Sequence, residues 1–142
     1  MYTLSNRGAL AATDGSPVVD TAQFFPKQVR IAVVTCVVVT TGAPATFNYR
    51  AAVEVSPDGV NWEQVIRFTD FTAVGMQVAR MMGATLISDA TGAVSALTGA
   101  AASPVLIDTP WPRYIRAVTM LQAMTGGASP TVAGYIELDV GN

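Results

Sequence analysis

The sequence predicts an all-β protein: a single antiparallel β-sandwich or jelly roll over residues 1–142, with an N-terminal arm at 1–15 and one long Ala/Gly/Met-rich loop at 73–104. Three observations predict it. Residues 48–56, NYRAAVEVS, alternate with a period of two, as a half-buried strand does. Residues 30–40, RIAVVTCVVVT, form an unbroken β-branched run, shorter than the ~20 residues of a membrane span. Convincing helical periodicity is lacking, while Gly, Pro, Asn and Asp turn signals separate roughly seven to nine extended segments.

Met1 to Gly15 reads as an arm or a first short strand, with Tyr2 and Leu4 on one side and Thr3 and Ser5 on the other. Asn6-Arg7-Gly8 and Asp14-Gly15-Ser16-Pro17 are turn signals. The arm either edges its own domain or reaches a neighbouring subunit. Val18 to Phe25 gives a short extended segment ended by Pro26. Arg30 to Thr40 lacks alternation, so a central strand covered on both faces is expected. Thr41-Gly42-Ala43-Pro44 breaks it.

In the next strand Tyr49, Ala51, Val53 and Val55 share one face, and Asn48, Arg50, Ala52, Glu54 and Ser56 the other. A tight turn follows. Pro57 pre-sets φ, Asp58 bonds its own backbone, and Gly59 accepts a positive φ after Ser56. Asn61 caps the loop. Trp62 opens the return strand, sharing a face with Gln64, Ile66 and Phe68, and is expected to anchor the hairpin in the core.

The stretch from Thr72 to Pro104 has weak regular structure. Gln77 to Met82 reads either as one helical turn tightly bracketed by Gly75 and Gly83, or as part of one or two short strands with turns that fill the end of the sandwich. Long irregular stretches inside a domain are unusual and often functional. Methionine adapts well to contact surfaces. Met76, Met81, Met82, Leu86, Ile87 and Leu97, with Tyr2 and Leu4 of the arm, are therefore the candidate subunit-interface residues.

Val105 to Asp108 reads as a short strand, and Trp111, between two prolines, as a cap over the core. From Arg113 to Leu121, Tyr114, Arg116, Val118 and Met120 share one face, and Ile115, Ala117, Thr119 and Leu121 the other. Arg113 and Arg116 are expected to pair with Asp108 or Glu54. A Gly-Gly loop at Thr125 to Pro130 closes a second hairpin. The last strand, Thr131 to Val140, turns Val132, Gly134, Ile136, Leu138 and Val140 to one side.

Chemistry-bearing residues are sparse. There is no histidine, the commonest general base and metal ligand. The single cysteine, Cys36, lies in the apolar run and reads as a buried thiol, and no intrachain disulfide can form. The aspartates are scattered and mostly sit at turns, and Asp58, Gly59 and Asn61 lack calcium-loop spacing. No catalytic residue, cofactor or metal is expected. The net charge of −2, a single lysine (Lys27) and the absence of a basic run argue against nucleic acid as a partner. The first residues contain no apolar run of signal-peptide length, and no membrane partner is expected. Charged residues make up 13% of the chain, against about 25% in ordinary soluble domains, which points to surface covered by partners or by copies of itself.

Two motifs occur in order. Ser56, Asp58, Gly59, Asn61 and Trp62 form an S-x-DG-x-NW turn, and Arg113, Tyr114, Ile115 and Arg116 open a closing strand region. With the arm and the apolar strand, they resemble small β-sandwich virion proteins of tailed bacteriophages over about Val29 to Val140, apart from the loop Ala73 to Ser103. A looser similarity joins them to discoidin-like carbohydrate-binding domains. The resemblance implies a non-enzymatic virion structural protein, in first place a capsid decoration or cement protein on the head surface. Its implied partners are the major capsid protein and copies of itself, with a trimer favoured. Neck, tail or fibre components are the alternative. A sugar-binding module using Trp62, Trp111, Tyr114 and Tyr135 is the second, with a glycan as partner.

Overall fold

The computed structural model describes residues 1–26, 31–82, 105–106 and 113–141. Among the described residues all regular structure is strand, in two antiparallel sheets packed face to face as a β-sandwich. Ten strands follow in order: β1 (Tyr2–Leu10), β2 (Val18–Val19), β3 (Gln23–Phe24), β4 (Ile31–Thr41), β5 (Thr46–Ser56), β6 (Glu63–Arg67), β7 (Gly75–Met82), β8 (Val105–Leu106), β9 (Tyr114–Thr125) and β10 (Thr131–Gly141). One sheet runs β1-β10-β4-β7. The other runs β2-β9-β5-β6-β8, with β3 also on β9.

The core lies where the inner faces meet. Ala32, Val34, Cys36 and Val38 of β4 face Tyr49, Ala51 and Val53 of β5 and Ile115, Ala117 and Leu121 of β9 across one apolar cluster, which Ile136 and Leu138 of β10 complete. Burial pushes the Cys36 thiol up to about 12, so it stays protonated and inert.

Several local expectations are corrected. Asn6-Arg7-Gly8 is not a turn but part of β1, which pairs with its own β10. Arg7 points inward, donating to Asp14 at 2.8 Å and to Thr119 at 3.2 Å, and the Asp14 carboxylate accepts the Leu121 N–H at 2.8 Å. These bonds tie the crossing from one sheet to the other, so the predicted arm is an edge strand of its own domain. Gln77 to Met82 is strand rather than helical turn. In place of the helix, the Gln77 amide grips both backbone groups of Thr69, at 3.0 and 2.9 Å, and β7 pairs along β4.

The Gly-Gly loop does not close a hairpin, because β9 and β10 belong to different sheets. It arches between them beside the equivalent arch from β4 to β5. Gly42, Gly126 and Gly127 all have positive φ, and the Ala128 N–H donates to the Gly42 carbonyl at 3.0 Å. Positive φ and close backbone approach both call for glycine there. A register shift between Val53 and Glu54 separates Gln64 from Ile66: Ile66 pairs with core-facing Val53, while Gln64 pairs with Glu54 on the outer face.

β4 is central in its sheet, yet covered on one face only. Ala32, Val34, Cys36 and Val38 are buried, whereas Ile31 and Val39 are exposed and Val33 and Val37 half-buried. The reverse holds for β5. Its polar side was expected to face solvent, and Arg50, Glu54 and Ser56 are buried there.

Candidate functional site

Two places gather the residues that the sequence singles out. The first is the corner where the two motifs meet. Pairing of β5 with β9 sets Ser56 opposite Tyr114 and Glu54 opposite Arg116. The Ser56 hydroxyl donates to Asp58 at 2.8 Å and accepts the Gly59 N–H at 2.8 Å. The Asp58 carboxylate accepts the Val60 and Asn61 N–H groups, each at 2.8 Å, and the Asn61 amide at 2.7 Å. Those donors, the Asn61 backbone first, hold its carboxyl well below the usual carboxylate range. The turn's contribution is therefore complete above the ordinary Asp range and is lost as pH falls below it. Gly59 has φ +78°, and the Tyr114 ring lies directly over it.

Trp62 differs from the expectation. It precedes β6, and its ring is half-buried with the Arg116 guanidinium 3.9 Å from its centroid. Arg116 in turn holds Glu54, which is 1% exposed, through Nε at 2.7 Å and Nη2 at 2.6 Å. Trp62 therefore roofs a charge pair on the outer sheet face instead of filling the core. Trp62→Ala is expected to cost about 1–2 kcal/mol, the scale of a desolvated cation–π contact, and not the ~3 kcal/mol or more of a buried tryptophan. Urea denaturation of the variant checks this, and a loss above 3 kcal/mol would restore the core-anchor reading.

Beside this corner lies a polar network that local pattern did not reveal. Asp70 accepts from Arg50 Nε and Arg67 Nη2, each at 2.9 Å, and from the Asn48 amide at 3.1 Å. Burial lowers the Arg67 pKa, against the opposing pull of Asp70. All this is a locked structural assembly. Among the described residues no group of three His, Cys, Asp or Glu side chains could hold a metal. Arg113 is exposed, with its backbone N–H on the Ser56 carbonyl at 3.2 Å.

The second place is the outer face of the β1-β10-β4-β7 sheet. Ile31 and Val39 are each 42% exposed, Val78 49% and Met76 63%, with Val33 and Val37 between them. These side chains form an apolar group continuous over two neighbouring strands.

Of the predicted interface residues, Met76 belongs to this face. Leu4 does not, being buried in the core. Tyr2 packs edge-on against Phe25, with ring centroids 5.0 Å apart. Met81 and Met82 end β7, paired with Ala32 and Ile31. Leu86, Ile87, Leu97 and Trp111 lie outside the described residues, as do Lys27 and Asp108. Comparison of the chain with protein-family models, curated proteins and solved structures found no match.

Proposed function

We propose that the protein is a non-enzymatic virion structural protein, a capsid decoration or cement protein that binds the outside of a phage head and stabilises it. The observation that carries this reading is the apolar outer face formed by β4 and β7. A chain with 13% charged residues leaves Met76, Val78, Ile31 and Val39 in water unless another subunit covers them. The resemblance carried by Ser56 to Trp62 and Arg113 to Arg116 supplies the class of particle, and the packed contact between those two motifs accounts for their joint occurrence.

Co-sedimentation with heads assembled without this chain tests it. Saturable binding, with a rise in the temperature at which the heads release DNA, is expected. Binding to tails or necks in place of heads would move the protein to that part of the particle. Binding to neither would overturn the virion reading.

A further inference from the structure

We propose that the outer face of the β1-β10-β4-β7 sheet pairs with the same face of a second copy, about a two-fold axis lying along β4. The inference deepens the assembly reading above and rests on it for the presence of a partner at this face. It differs in naming the partner and the symmetry: a two-fold pair at this surface in place of the trimer that the resemblance implies.

The argument is charge complementarity in register. β4 is flanked by β10 and β7, and the pairings fix which outward side chains share a row. Val33 lies between Asp139 of β10 and Arg80 of β7. Thr35 lies between Glu137 and Val78, and Val37 between Tyr135 and Met76. The face therefore has an acidic flank on β10, an apolar middle on β4, and a flank on β7 that carries Arg80. Arg80 is exposed and forms no ion pair among the described residues. Asp139 is exposed too, with the Met1 amino group 3.5 Å away.

A two-fold axis along β4 exchanges left and right while keeping each row at its own height. It lays the β7 of each copy over the β10 of the other. Near the crossing point each Arg80 then meets Asp139 of the second copy, with Glu137 one row along. Met76 meets the ring of Tyr135, a favourable sulfur–aromatic contact. Ile31, Val33, Val37 and Val39 of both copies close the middle. Aligned sheet packing at about 30° suits two such faces. A two-fold face must be self-complementary, and this one has both signs of charge on opposite sides of its axis.

The axis along β4 overlaps three strands of each copy, β10, β4 and β7, and leaves β1 outside. Three strands about 4.8 Å apart and roughly 27–37 Å long present about 400–530 Å² per copy. The two copies together bury close to the ~1,000 Å² lower bound of a specific interface, so a weak, concentration-dependent dimer is expected.

Sedimentation equilibrium on the full chain alone, without heads, tests the pairing. Wild type is expected to dimerise. Arg80→Glu and Asp139→Arg should each weaken dimerisation at least tenfold, and the double swap should restore it. Circular dichroism melting confirms that the single variants remain folded, since both side chains are exposed. A wild-type chain that stays monomeric at ~100 µM, a trimer, or a dimer indifferent to both single swaps would overturn the proposal. A swap-sensitive dimer that fails to bind heads would leave the pairing standing and overturn the virion reading instead.

Discussion

Gly134→Ala is expected to destabilise the fold by about 3 kcal/mol or more, the upper range for overpacking a core. A Cβ at Gly134 would lie 2.1 Å from Cζ and 2.2 Å from Oη of Tyr49. The Tyr49 ring is fully buried, held from β5 across the sandwich, so it has nowhere to retreat. Gly134 has no positive φ, and its requirement is for space alone. The cause can be isolated with a second variant. Tyr49→Val alone should cost about 3 kcal/mol as a cavity. Combined with Gly134→Ala it should cost clearly less than the sum, with a coupling of at least ~1 kcal/mol. Urea titration of the four proteins reads this out, and simple additivity would refute the steric account.

Arg116→Ala is expected to cost about 3–5 kcal/mol, because it strands a buried carboxylate without its counter-charge. Glu54 has a side chain 2% exposed, and Arg116 supplies its ion pair. The paired replacement Glu54→Leu with Arg116→Met should recover most of the loss, since an apolar pair of similar volume avoids the desolvation cost of two charges. If the single and paired variants melt alike, the pair's role is packing against Trp62, and electrostatics is secondary.

The faces of the long strands were legible in the sequence because alternation is a local property. Tyr49, Ala51 and Val53 point inward, as do Ile115, Ala117, Ile136 and Leu138. The Ser56 to Asn61 turn was legible for the same reason, since its bonds span no more than three residues. What escaped was set by partners far along the chain. Arg50 read as solvent-facing because charge ordinarily does, yet its partner is 20 positions away. The pairing of Glu54 with Arg116, 62 positions apart, was expected from the charges that flank Tyr114 and Ile115, but the burial of Glu54 was not. An alternation pattern cannot price a buried ion pair. The Gly-Gly loop was recognised as a reversal, but glycine with positive φ serves a hairpin and an arch equally. Only the pairing of β10 with β4 decides between them. The candidate contact face was hidden in the same way. An unbroken apolar run reads as a strand covered twice, whereas β4 is covered once and leaves Val37, Val39 and Ile31 for another surface.

The pairing of β1 with β10 has a consequence for biosynthesis. Tyr2 bonds in register with Leu138, and β10 is also the link between β1 and β4. While the ribosome is still short of residue 131, the first strand has no place to dock and β4 lacks one of its two neighbours. The sheet closes only after release of its last strand, and non-local pairing of this kind proceeds in milliseconds to seconds. Until then the valine-rich β4 edge stays open to wrong partners. Nascent chains stalled before residue 131 should therefore be protease-sensitive and chaperone-bound, and should turn resistant within seconds once β10 has left the ribosome.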